Sequence, residues 1–362
     1  MDFSLSDEQS AVVEAVAPIF AAAAESEDAT RCWAALSDAN LLGLAVDTGY
    51  GGSGLGFFEI SLLLEEAGRV ASPTPLWPTL VLGGLALGHF GSDAQKDRWL
   101  PSLAAGRLIA TAALLEPGTE ADRPGTLARA DGEGWLLDGF KTTVPALPLA
   151  GLVLVPVRVD GGGSAVFIVD PAAAGVTVGE LDTTTGWPQG RLDLEAVSVG
   201  PDQLLGEIGQ GEEILEWLVP RAVSGLCSFA SGVCDAAVRL TAEYVASRQQ
   251  FGRAIATFQA VGQRAADAYI DAEAVRLTAR QAAWRLSAGL AAQEEVAIAK
   301  FWAAEGGQRV VHAAVHLHGG VGVDRSYPLH RYFLAAKQLE LQLGGATVSL
   351  ARLGRAMAAR RP

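Results

Sequence analysis

Cysteine, histidine and methionine are scarce in this chain, and basic residues are outnumbered. Only Cys32, Cys227 and Cys234 occur in 362 residues. They form no CxxC pair and no zinc-ligand spacing, and their odd number cannot close a disulfide set. A disulfide-built or zinc-built fold is therefore excluded; reduced thiols and a cytoplasmic location are expected. Lys and Arg number 27 against 41 Asp and Glu, a formal charge of −14. Nucleic acid and anionic membrane surfaces both demand concentrated positive charge, so neither is expected as a partner. Met1-Asp2-Phe3-Ser4 has no basic start to a secretory leader, so no leader is expected, and no apolar run reads as a membrane span. The GxSxG elbow, the Walker loop and HExxH are also missing.

What remains is apolar and helical. Half of the residues are hydrophobic and 19% are charged, enough for a large core divided into two or three domains. Alanine dominates the apolar set and favours tightly packed helices. Helical periodicity opens after Ser6, a candidate N-cap followed by Asp7 and Glu8, and persists in several segments to Ala105. From Leu108 the period shortens to that of strands. Apolar runs at 108–114, 135–137, 151–157, 165–169, 176–178 and 192–199 alternate with Gly, Pro and Asp turns. Beyond 206–211 four long helical patterns follow, at 212–247, 254–290, 294–317 and 334–359. The expectation is an α+β multidomain fold. A helical domain covers 1–107, an antiparallel β-barrel or sandwich covers 108–205, and a four-helix bundle covers 206–362.

Three stretches carry candidate chemistry. Asp47–Gly56 is a glycine-rich loop, but no strand precedes it, so it does not read as a dinucleotide-binding turn. His312 and His316 share a helix face with His318 nearby, yet no carboxylate completes a metal set. The glycines of His318-Gly319-Gly320-Val321-Gly322 fit a helix cap better. Arg248-Gln249-Gln250-Phe251-Gly252, followed by Phe258 and Gln259, interrupts two helical patterns. An arginine beside a fresh helix N-terminus is a phosphate-compatible corner. A salt bridge tying helices, or a bare corner, remains the alternative.

Together these stretches resemble the acyl-CoA dehydrogenase family, in order along nearly the whole chain. Residues 50–69 (YGGSGLGFFEISLLLEEAGR) are similar to its N-terminal signature, and 192–211 to its strand and glycine-flanked loop. RQQFG at 248–252 with Phe258-Gln259 is the most specific match. Leu317–Gly322 with Tyr327-Pro328 and Arg331-Tyr332 resembles the later signature. The resemblance implies FAD shared across a subunit interface, where Arg248, Gln250, Phe251, Gln259 and His316, Leu317, His318, Gly319 and Gly320 clamp the ADP and pyrophosphate of a partner's cofactor.

The departures are as informative. Where the family carries Thr-Glu-Pro and Gly-Ser-Asp beside its flavin ring, this chain has Leu115-Glu116-Pro117 and Glu120-Ala121-Asp122. Lys141-Thr142 is followed by Thr143-Val144-Pro145 in place of Trp-Ile-Thr. The family's base, a glutamate just before a glycine, is replaced by Leu343 ahead of Gly344, and its alternative position falls near Ala222. Leu334-Ala335 stands where the family has Arg-Asp. No catalytic residue is therefore expected here. The C-terminal runs 330–338 and 343–347 resemble the base-lacking subunit of bacterial steroid side-chain dehydrogenases, which are α₂β₂ heterotetramers. That implies a catalytic partner chain and a steroid-CoA substrate held mainly by it. Two alternatives remain: a homo-oligomeric dehydrogenase whose base is Glu340, Glu213 or Glu216, and a CoA-ester-binding or assembly protein without redox chemistry.

Overall fold

The computed structural model describes residues 4–26 and 28–359. Packing divides the chain into two compact units. One holds the first helix, Ser61–Ser72 and the chain from Val223 onward; the other holds Asp28–Ile60 and Pro73–Ala222.

The second unit is built around a sheet. Its strands are β1 (Ala110–Ala112), β2 (Leu127–Asp131), β3 (Gly134–Pro145), β4 (Leu152–Val159), β5 (Ser164–Val169), β6 (Val176–Glu180), β7 (Gln189–Val199) and β8 (Leu204–Leu205). They lie in the order β6-β7-β3-β2-β4-β5-β8, with β1 added on β4. The expected all-antiparallel pairing is corrected here, because β4 runs parallel to both β1 and β2. The reason lies in β4 itself: every residue of Leu-Val-Leu-Val-Pro-Val-Arg-Val except Arg158 is buried. A strand covered on both faces reads as a continuous apolar run and suits parallel neighbours. Val153, Val155, Val157, Phe167, Leu192 and Leu194 form the heart of the β core.

Helices of this unit are α2 (Ala29–Asp38), α4 (Leu85–Phe90) and α5 (Asp93–Ala104), with a π-helical segment, Trp77–Gly84, leading into α4. Ser92 and Gln95 close a reciprocal capping box at the start of α5. Gln95 then reaches the carbonyls of Asp202 and Leu204, each at 2.9 Å.

The first unit is helical. Its first helix, α1 (Asp7–Ser26), is capped as its sequence indicates: the Ser6 hydroxyl accepts the Gln9 N–H at 3.2 Å, and Gln9 answers at 3.1 Å. The helix α3 (Phe57–Arg69) meets α6 (Gly211–Ser247) where Gly68 faces Gly232. A Cβ on either would strike the opposing backbone, so only glycine permits this approach. Arg69 binds Glu65, Glu66 and Asp235, and Arg280 also binds Glu65.

By length and mean hydropathy α6 could cross a membrane, although it is no unbroken apolar run, and 72% of that window is buried inside the protein. The later helices are α7 (Gln259–Ser287), α8 (Gln293–Phe301), α9 (Gly307–His318), α10 (Leu329–Leu341) and α11 (Ala346–Ala359). The single helix expected over 334–359 is two: it starts at Leu329 and breaks at 342–345. Leu343 takes φ +58° and Gly344 φ +105°, a left-handed corner that no helix can continue through. The buried Lys300 ammonium, 2.5 Å from the Leu339 carbonyl, ends α10 electrostatically.

Candidate functional site

Most of the site residues indicated by the sequence gather at one end of the helical unit. After α6 the chain folds into a two-residue hairpin, Gln249–Gln250 against Arg253–Ala254, closed by the Ile255 N–H on the Arg248 carbonyl at 2.9 Å. Phe251 and Gly252 form its turn with φ +54° and +74°. Positive φ at both positions is what such a turn demands, and a bulky aromatic rarely adopts it. Phe251 is 90% exposed and meets Phe258 only edge-on, 6.1 Å away. The Arg253 guanidinium covers the Phe258 ring at 4.1 Å. Arg248 and Gln250 are exposed, and Arg248 makes no ion pair among the described residues. The salt-bridge alternative for Arg248 therefore has no partner there.

Gln259 opens α7, a 29-residue helix with no side-chain cap at its N-terminus. Uncapped first-turn N–H groups and the helix dipole make such an end attractive to anions. The end of α9 lies at the same end. Arg309 binds Asp271 at 2.6 Å, tying α9 to α7. From that tie, Gln259 is about 18 Å along α7 and His318 roughly 14 Å along α9 in the matching direction. Tyr244, in the last turns of α6, stacks on His318 at 4.3 Å.

The 316–320 turn divides by burial. His316, Gly319 and Gly320 are exposed, while the side chains of Leu317 and His318 are buried. His318 Nδ1 meets the Ala314 carbonyl at 2.8 Å and Nε2 meets the Tyr327 hydroxyl at 3.2 Å. Burial lowers its pKa, leaving a neutral ring that braces the cap. Leu317 and His318 can therefore serve a ligand only by shaping the backbone. Gly319, with φ +61° and open space above it, leaves that backbone uncovered. His312 and His316 gain no third ligand: no metal-holding group of three occurs among the described residues.

The segment that would face a flavin ring, in the sheet unit, is occupied by its own bonds. The Glu116 carboxylate accepts the Gly125 N–H at 2.7 Å, the Thr126 N–H at 3.1 Å and the Thr126 hydroxyl at 2.8 Å, and pairs with Lys141. Lys141 is buried and also donates to the Pro156 carbonyl at 2.6 Å. Burial alone would raise the Glu116 pKa, but Lys141 and Thr126 together hold it below the usual carboxylate range. Beyond Lys141, β3 bulges against β7, with Thr143 at φ +48°. Pro145 lies in β3 opposite Gln189. Arg248 and the exposed Gly319–Gly320 backbone are compatible with the ADP half of a dinucleotide, whereas in the other segment Leu115 and Ala121 carry no hydroxyl and Pro145 no N–H.

The two positions that the family resemblance points to for a base hold Leu343 and Ala222. Leu343 is buried at the α10–α11 corner, its carbonyl accepting Arg352 at 3.1 Å. Ala222 is fully buried, and its carbonyl accepts the Trp77 indole N–H at 2.9 Å. Glu340 is bound to Lys337 at 2.6 Å. Glu213 and Glu216 are exposed, and Glu213 accepts Gln210 at 3.0 Å. Sequence reasoning missed Tyr244, whose signal was an aromatic one helical turn before Arg248, and the role of Lys300.

Comparison with known proteins gives the same architecture. Residues 6–107 match the acyl-CoA dehydrogenase N-terminal domain and 216–358 the acyl-CoA dehydrogenase C-terminal domain. The chain is 42% identical to acyl-CoA dehydrogenase FadE27 of Mycobacterium tuberculosis over 90% of its own length and 87% of that protein. It is 34% identical to FadE28 of the same organism, covering 98% of each. A chain of the ChsE4-ChsE5 complex from Mycobacterium tuberculosis superposes with a TM-score of 0.93 at 39% identity, covering 100% of both. A chain of the Tcur3481-Tcur3483 steroid ACAD does so at 0.91 and 39% identity, covering 98% of this chain and 99% of that one. With relatives this similar along this much of its length, the chain belongs to the acyl-CoA dehydrogenase family.

Proposed function

We propose that this chain is the non-catalytic subunit of a heteromeric acyl-CoA dehydrogenase. It joins a catalytic subunit of the same family, two copies of each, and completes the FAD site of that partner. Arg248 supplies a charge-assisted fork to the pyrophosphate. Gln250, Phe251 and Gln259 line the same end, and the 316–320 turn offers exposed backbone. FAD, when bound, supplies the hydride acceptor for forming the α,β double bond of an acyl-CoA. The partner supplies the glutamate, the flavin-ring contacts and most of the acyl pocket. The steroid ACAD relative supports a steroid side-chain CoA thioester as the substrate class.

The observation that carries this reading is Leu343, an apolar and buried residue where the base belongs. A positioned general base contributes roughly 10²–10⁴-fold, and the carboxylate of Glu340, three residues earlier, is paired with Lys337. A chain that has lost the base yet presents Arg248 and Phe251 on an exposed hairpin makes sense as half of a site.

Co-expression with a family member that retains its glutamate tests the proposal. One FAD per pair of chains is expected, read from flavin absorbance against protein concentration, with dehydrogenation only in the complex. Stoichiometric flavin and activity in this chain purified alone would end the proposal.

A further inference from the structure

Within the sheet-containing unit a cleft of about 620 Å³ opens between the loop at 47–50, α4, α5 and the start of α6. That is ample for a small organic ligand, since such pockets span roughly 300–1,000 Å³. None of its residues belongs to the cofactor reading above.

One wall is a fixed aromatic stack. The Arg221 guanidinium sits 3.7 Å over the Trp217 ring, and Trp217 lies parallel to His89 at 4.4 Å. Phe90 props both rings edge-on, at 4.6 and 5.5 Å. Burial, with help from Arg221 and Lys96, lowers the His89 pKa and keeps the ring neutral near pH 7.

Next to His89 the cleft is lined by Gly88. Gly88 is an exposed glycine inside a helix, and a Cβ there would meet nothing. Such a glycine weakens a helix by about 1 kcal/mol relative to alanine, and no packing contact explains it. It leaves room for a ring to lie against backbone.

The remaining lining residues include two donors. Lys96 is half-buried, and its ammonium has no ion-pair or hydrogen-bond partner among the described residues, in a chain rich in carboxylates. Tyr50 also lines the cleft, and burial and the charges of Asp97, Asp93 and Asp47 raise the pKa of its hydroxyl, which stays protonated. Asp47 also lines the cleft, and one of its carboxylate oxygens accepts the Gly49 N–H at 2.7 Å.

We propose that this cleft binds a planar aromatic or fused-ring carboxylate. The ring lies over Gly88 and His89, and the carboxylate meets the Lys96 ammonium and the Tyr50 hydroxyl. Shape and charge each have their own residues, so they can be tested separately.

2-Naphthoate titrated calorimetrically into the full-length chain, in whatever assembly it purifies as, is expected to occupy one site per chain. Lys96→Met should weaken it roughly tenfold through loss of a charge-assisted contact. Gly88→Leu, which fills the open space at this position and favours the helix, should weaken it at least as much. The uncharged 2-naphthamide should bind roughly tenfold less tightly. Arg191→Ala, at an exposed pair with Asp193 on the sheet, should leave binding unchanged. Circular dichroism confirms that each variant is folded. Absence of binding at millimolar 2-naphthoate, or equal binding by folded Lys96→Met and Gly88→Leu, overturns the proposal.

Discussion

Tyr244 lies flat against His318, ring centroids 4.3 Å apart and planes 20° from parallel, and its hydroxyl donates to the His318 carbonyl at 3.3 Å. This joint ties the last turns of α6 to the end of α9. It holds the 248–252 hairpin and the 319–320 glycines at one end of the helical unit. Tyr244→Ala is expected to lower stability by roughly 2 kcal/mol and to reduce FAD retention in the partnered complex. Tyr244→Phe keeps the stack and loses one long hydrogen bond, about 1 kcal/mol or less. Urea denaturation of both variants checks this; equal losses would show that the stack does not hold the joint.

Arg248→Ala separates binding from folding. The side chain is exposed and has no ion pair among the described residues, so stability should change by no more than about 0.5 kcal/mol. Flavin content of the purified complex should nevertheless fall, because a charge-assisted contact to phosphate contributes about 1.5–3 kcal/mol. Absorbance near the flavin maximum, measured after dialysis, gives the answer. Undiminished flavin would remove Arg248 from the cofactor site.

Much of this was legible in the chain because local rules dominate there. Ser6 caps α1 as a serine before an acidic first turn should, and the RQQFG motif shows in sequence as a break between helical patterns. The sheet was read less well. The parallel pairing of β4 with β1 and β2 depends on partners distant in sequence, and short apolar runs do not reveal direction. The break at Leu343 was hidden for another reason: an apolar residue gives no sign that it will take φ +58°. Tyr244 and Lys300 act through contacts with residues 74 and 39 positions away, beyond any periodicity.

The Glu116–Lys141 pair is a buried ion pair of the sheet unit. The two side chains are only 8% and 1% exposed. Glu116→Gln should therefore destabilise the sheet unit by about 3–5 kcal/mol, because it strands a buried ammonium. Glu116→Gln combined with Lys141→Met should recover a substantial part of that loss. Thermal or urea unfolding of the three variants closes the cycle. If the double variant is as unstable as the single ones added together, the pair is not coupled.

Lys300 makes stability depend on alkaline pH in a defined direction. Burial pushes its ammonium from 10.5 down to about 8, so between those values the unfolded chain holds a proton that the folded chain has released. Stability therefore rises with pH through this window, by at most about 1.4 kcal/mol per unit. The cysteines act oppositely. Burial raises Cys32 to about 11 and Cys227 and Cys234 to about 12 from 9.0, so folded thiols keep protons that unfolded ones lose, and stability falls above pH 9. The clean interval is pH 8 to 9, where urea midpoints of the unaltered chain should climb. Lys300→Met removes the titrating group and should flatten that climb, whatever its absolute cost at the α10 terminus. Parallel slopes for the two proteins between pH 8 and 9 would mean that the Lys300 ammonium stays charged, held by the Leu339 carbonyl.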